Sequence, residues 1–203
     1  MRLTMRLEDE LTDAMRRLRE TSYADHLCTE DEFDAYSRHV TVWLGEEPVA
    51  MARITPCDRS MLRSESSGQV AVPVSAEVVE LTRGIVREDM RQIGLYSLFV
   101  SAGLLAACRA GASEAVAIVR TGLPARPALH RLGFQDWGSP VWHEAYGCAG
   151  QPLRMNLRGA ERRLAAQLEE QVERMAQRGI EVVCAPFENA AEECGAFPAS
   201  LAA

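Results

Sequence analysis

VVELTRGIVREDMRQIGLYSLFVSAGLLAAC, running from Val78 to Cys108, holds a strand, a turn and a helix in succession. Val78 to Val86 is an apolar, β-branched run, as a buried strand requires, yet Glu80, Thr82 and Arg83 interrupt it. Charged groups in a buried strand are costly unless they are paired or put to use. Arg87 to Gln92 is a polar turn, and Gly94 opens a run with Leu95, Leu98, Ala102, Leu105 and Ala106 at helical spacing. The glycine lets backbone come close to a ligand. The first amides of the helix have no partner within it, so the turn is a candidate anion site.

Upstream, Met1 to Leu7 alternates as a first strand, and Glu8 to Glu20 places Leu11, Ala14, Met15 and Leu18 on one helical face. His39–Leu44 and Pro48–Ile54, separated by Gly45-Glu46-Glu47, form a hairpin. Thr55 to Ala76 is a long loop with a short helix around Met61 and Leu62. Downstream, Glu114 to Val119 is a short strand, a helix opens at Pro124, and strands follow near Val141–Tyr146 and Leu153–Leu157. Gly159 to Arg178 is amphipathic, with Leu164, Leu168, Val172 and Met175 on one face, and Ile180 to Ala185 adds a last strand. The tail from Pro186 is left unassigned as a mobile segment.

The length of 203 residues suits one domain with a real core. An apolar fraction of 47% and a charged fraction of 25% are those of a soluble protein, with no run long enough for a membrane span. Net charge is -7, which argues against general nucleic-acid binding. All 22 basic residues are Arg, so lysine Schiff-base chemistry is excluded. The amino end carries both charge signs and no apolar h-region, which points to the cytoplasm. The six cysteines show no CxxC spacing and read as free thiols rather than zinc ligands or a disulfide framework.

Arg91 to Leu95, reading R-x-x-G-x between a strand ending in valine and a helix of small residues, resembles the acyl-coenzyme-A cradle of the GNAT acyltransferases. That family usually has Gly or Ala where this chain has Tyr96, near the expected place of the coenzyme pyrophosphate. Glu80-Leu81-Thr82-Arg83 is similar to the E-L-S-R strand of the autoinducer (acyl-homoserine lactone) synthases and their relatives, the N-acyl amino acid synthases. Leu18-Arg19 through Tyr23 resembles their LR-x-x-x-[FY] opening, and DEFDAY, Asp31 to Tyr36, their acidic segment, with Phe33 and Asp34 as counterparts. Arg53 in A-R-I-T-P resembles the arginine of their G-x-x-R-L-x-P strand, with Ala50 where Gly is usual. PALHRLGF, Pro127 to Phe134, resembles a GNAT helix end, but Leu129 replaces the tyrosine that often protonates the leaving thiolate. His130, one position along, points about 100° away and reads as a surface histidine.

The resemblance implies an α+β, GNAT-like fold, with a mixed, mostly antiparallel sheet of six or seven strands splayed between the Glu80 and Glu114 strands. It implies an acyltransferase domain over 1–158, a C-terminal helix and strand packed on it over 159–185, and a tail over 186–203. The implied activity is transfer of an acyl group from a thioester, on acyl carrier protein phosphopantetheine or coenzyme A, to a small amine such as an amino acid or S-adenosylmethionine. No metal is implied.

The acceptor amine is protonated at neutral pH, because α-amino groups titrate near about 8, so Glu80 is the candidate general base. Arg83, Arg53, Asp34, Arg19 and Phe33 are candidate substrate-binding residues; Val86, Arg91, Gln92, Gly94, Leu95 and Tyr96 are candidates for the donor. Three residues from Glu80, Arg83 falls on the opposite face of a regular strand, where it either orients a phosphate or pairs with an acidic loop residue. Leu98, Phe99, Ala117, Val119 and Trp142 are candidate walls of an acyl tunnel, with plain core as the alternative. Arg120, Arg126 and Arg131 offer a basic surface to an acidic carrier protein, or are solvated arginines. Two other readings stay open: a standard acetyl-coenzyme-A N-acetyltransferase, and a non-catalytic acyl-thioester binding module.

Overall fold

The computed structural model describes residues 1–23, 29–57, 75, 77–143 and 148–184. Its strands are β1 (Arg2–Glu8), β2 (Arg38–Leu44), β3 (Glu47–Pro56), β4 (Val78–Val86), β5 (Glu114–Arg120), β6 (Gln135–Asp136), β7 (Val141–His143), β8 (Cys148–Asn156) and β9 (Glu181–Cys184). Its α-helices are α1 (Asp13–Ser22), α2 (Leu95–Arg109), α3 (Ala125–Leu132) and α4 (Glu161–Gln177). The acidic segment Glu32–Tyr36 is a 3-10 helix.

One nine-stranded sheet has the order β6-β8-β5-β4-β3-β2-β1-β9, with β7 added on β8. That exceeds the six or seven strands expected for the sheet, because the two-residue β6 carries no periodicity to read and the last strand, predicted from Ile180 to Ala185, joins the sheet as β9 by pairing parallel to β1. The β2–β3 hairpin turns at Gly45, whose φ of 62° favours glycine. The expectations for Met61, Leu62, Cys28, Tyr146 and the tail from Pro186 fall outside the described residues.

The sheet has two unlike faces because side chains alternate along a strand. Val40, Ala52, Ile54, Leu81, Ala115 and Ala117 point toward α2 and α4 and form the main core. On the other face, Leu11 just before α1 and Met15 and Leu18 within it pack on Trp43, Met51 and Ile85. α2 is buried nearly all round, as its small and apolar sequence dictates.

Gly103 lets it lie close on β2 and β3: a Cβ there would sit 2.7 Å from Ile54 Cδ1 and 3.1 Å from Val40 Cγ1. A Gly103→Val substitution overpacks this contact and is expected to cost about 1–3 kcal/mol. Urea denaturation checks it, and an unchanged midpoint would mean that the helix has room to shift.

β4 and β5 are parallel neighbours, yet they pair only through Val78–Glu80 against Glu114–Val116. Beyond that they diverge. Gly84 is consequently exposed although β4 is an interior strand. A second irregularity lies on the other side of β4, where Arg53 pairs with Thr82 and Met51 with Ile85. Ala52 therefore faces two residues, Arg83 and Gly84, and the bulge places Arg83 at φ 56°, a conformation rare for residues with a side chain.

Candidate active site

The polar row runs across the α1 face of the sheet. His39 on β2 stands opposite Arg53 on β3, which stands opposite Thr82 on β4; Thr55 stands opposite Glu80 one step further along. The 3-10 helix lays its acidic end over this row. Asp31 caps it, accepting from Phe33 N at 3.1 Å, while Asp34 accepts from Asp31 N at 3.0 Å.

Arg19 reaches in from α1 and is fully buried. Its guanidinium grips Asp34 with two bonds, 2.8 and 2.9 Å, and donates to Thr29 O at 2.8 Å. Arg53, equally buried, donates to Asp34 at 3.1 Å, to Thr82 Oγ1 at 3.1 Å and to Asp31, and lies 5.9 Å over the Phe33 ring. Arg83 donates to the other oxygen of Asp31 at 2.6 Å and lies 5.5 Å over the Tyr23 ring.

A chain Arg19–Asp34–Arg53–Asp31–Arg83 results. Three guanidiniums meet two carboxylates, and Glu80, 3% exposed, stands two residues along β4 from Thr82 on the same face.

The expectation that Arg83 faces away from Glu80 is corrected by the bulge. The extra residue shifts the alternation, so Thr82 and Arg83 both turn toward the site while Gly84 takes the core side. Of the alternatives for Arg83, pairing with an acidic residue is the one observed.

Burial raises Asp34, but its two bonds from Arg19 and the charges of Arg19 and Arg53 outweigh that and hold it far below the ordinary carboxylate range. His39, between these groups and 3.9 Å from Asp34, is pushed down to about 4 by burial and then by Arg19, with Arg53 adding to the effect and Asp34 opposing it. Neither of its ring nitrogens has a hydrogen-bond partner among the described residues.

His39 therefore stays neutral when folded. Below its ordinary value of 6.5 the unfolded chain binds a proton that the folded chain refuses until about pH 4. Stability contributed here is expected to fall by about 3 kcal/mol as pH drops through that window. Denaturation midpoints from pH 7 to 4 should show a steeper decline for the native chain than for His39→Gln.

At the far end of β4, Val86 leads through the turn to α2. Gln92 and Gly94 take positive φ, 67° and 101°, and Leu95 and Tyr96 open the helix. Arg91 donates to Val86 O at 3.3 Å, and Arg178 reaches from beyond α4 to Ile93 O at 3.2 Å. Tyr96 does not cover this turn, contrary to expectation. Its ring folds onto Gly84 and meets Phe99 edge-on, with centroids 5.4 Å apart. Glu80 thus marks the closed end of the splay between β4 and β5, and the amide-rich turn marks the open end.

Leu129 is buried in the core, whereas His130 is exposed and bonded to Asp136 at 2.9 Å, as a surface histidine. Leu98, Phe99, Ala117 and Val119 belong to the main core, while Trp142, 58% exposed on β7, does not wall an interior tunnel. Arg126 pairs with Asp136; Arg120 and Arg131 are exposed.

Among the described residues no group of three or more His, Cys, Asp and Glu is placed to hold a metal ion, and no helix is long and apolar enough to cross a membrane. Asp31, Thr82 and His39 are members of the site that the motif reading passed over. The spacing Asp31-x-x-Asp34 before a short helix is a capping signal that could have marked Asp31.

No family model and no curated protein sequence matches the chain. Solved structures do. BjaI, a CoA-dependent acyl-homoserine lactone synthase determined with SAM and isopentyl-CoA, superposes with a TM-score of 0.62 at 16% identity, over 93% of this chain and 97% of its own. The AHL synthase LasI gives 0.62 at 14% identity, over 76% and 90%. An acetyltransferase of Bacillus subtilis in complex with CoA gives 0.52 at 15% identity, over 76% and 98%. At such identities the likeness is one of fold.

Proposed function

We propose that this chain, which has the fold of the GNAT acyltransferases, is an N-acyltransferase that moves an acyl group from a thioester to the amine of a small acceptor. The observation carrying the reading is the placing of a buried glutamate at the fork of β4 and β5, with a charge-paired arginine–aspartate network beside it and an amide-rich turn at the open end. The fold neighbours BjaI and the Bacillus subtilis enzyme, solved with CoA compounds, support it.

A thioester-bearing arm fits the exposed edge of β4 around Gly84, and the donor supplies an electrophilic carbonyl there. Glu80 takes the acceptor's ammonium proton, directly or through water. Backbone amides of β4 beyond Glu80, where the ladder to β5 ends, stabilise charge on the carbonyl oxygen. Arg91, Gln92, Gly94, Leu95 and the start of α2 hold the donor's phosphate, since unpaired helix amides favour anions.

Arg19, Arg53, Asp34 and Asp31 form a rigid wall of the acceptor pocket, and Arg83, held on Asp31, orients the acceptor's own anionic group. An amino acid or S-adenosylmethionine suits this pocket. With Tyr96 turned away from the turn, acyl carrier protein phosphopantetheine and coenzyme A both suit the donor side. Mass spectrometry of products from a mixture of acyl thioesters, amino acids and S-adenosylmethionine tests the reading. An N-acyl product is expected; donor binding with no product from any acceptor would favour a thioester-sensing module instead.

A further inference from the structure

We infer that Tyr96 is a donor-binding residue whose hydroxyl hydrogen-bonds the pantetheine arm of the thioester as the arm passes Gly84. The inference rests on the acyltransferase reading and goes beyond it to the way the arm is recognised.

Glu80 lies at the closed end of the β4–β5 splay and the phosphate turn at its open end, so a donor reaching from one to the other must pass the middle of β4. Gly84 is that middle, four residues and roughly 13 Å up the strand from Glu80. It is exposed, and it carries no side chain.

Tyr96 fills the place instead: a Cβ on Gly84 would lie 3.1 Å from its Cε2 and 3.6 Å from its hydroxyl. The ring is braced by Phe99, so the hydroxyl is held at the cleft wall. No described residue bonds it. Burial raises its pKa to about 12, which keeps it a donor at every working pH.

An arm entering this cleft gives up water around its amide carbonyls, and each needs a donor in exchange. Tyr96 provides one well beyond the thioester. That level corresponds to the arm's second amide, the one farther from sulfur. A truncated thioester that ends after the first amide does not reach it.

Calorimetric titration with butyryl-pantetheine and butyryl-N-acetylcysteamine separates the possibilities. Tyr96→Phe keeps the ring and is expected to weaken butyryl-pantetheine about fivefold, the usual worth of one neutral hydrogen bond, with butyryl-N-acetylcysteamine unchanged. Gly84→Ala, whose Cβ would press the ring by a few tenths of an ångström, should show the same selectivity to a smaller degree. Equal loss for both thioesters, or no loss for either, would overturn the inference while leaving the acyltransferase reading in place. A native chain that binds neither these thioesters nor butyryl-coenzyme A would overturn that reading, and this inference with it.

Discussion

Glu80→Gln is expected to slow acyl transfer by roughly 10²–10⁴-fold, the usual contribution of a positioned base, while leaving donor affinity unchanged. Glutamine has the same shape and can hold hydrogen bonds, but it cannot accept the ammonium proton before attack. The substitution leaves three guanidiniums facing two carboxylates in the buried row, so the midpoint of thermal unfolding provides the control. The rate deficit should shrink at higher pH, where more of the acceptor arrives already neutral. Activity within tenfold of the native chain across the pH range would assign Glu80 a structural part in β4 and pass the base to another group.

Asp34→Ala is the second large effect, and it is one of stability. Removing the carboxylate strands Arg19, 0% exposed, and takes from Arg53 one of its two acidic partners. An uncompensated buried charge costs about 3–5 kcal/mol, enough to lower the unfolding temperature by roughly 10 °C in a chain of this size. Calorimetry reads it directly. Asp34→Asn should lose less, because the amide oxygen still accepts from Arg19. A loss below about 1 kcal/mol for the alanine variant would mean that water replaces the carboxylate, so that the network is wetter than its burial indicates.

Much of this arrangement was legible in residue patterns. The strand–turn–helix unit from Val78 to Cys108, the hairpin before it and the amphipathic α4 rest on periodicities that tertiary packing only confirms. The convergence of Arg19, Asp34, Arg53 and Arg83 was visible through family resemblance, not through periodicity, since α1, the 3-10 helix, β3 and β4 are far apart in sequence.

The bulge was not legible. Gly84 after Arg83 allows one, but a strand's alternation gives no sign of where it slips, and the predicted facing of Arg83 was wrong for that reason. Asp31 was hidden because its role as a bridge depends on two arginines from different strands. Tyr96 was legible as an anomaly only: its identity marked a crowded turn, whereas its rotamer carries the ring away to Gly84.

The short ladder between β4 and β5 makes the sheet a tuning fork. One prong runs from β4 to β9 and the other from β5 to β7, welded by three residue pairs at the stem and backed by the packing of α2 on α3. Hydrogen bonds do not set the gap between the prongs above the weld; the helices behind them do. A guest lying along β4 would act as a missing strand, lending the sheet the bonds that its own chain leaves unmade, and the fork would ring at a higher pitch with the guest in place.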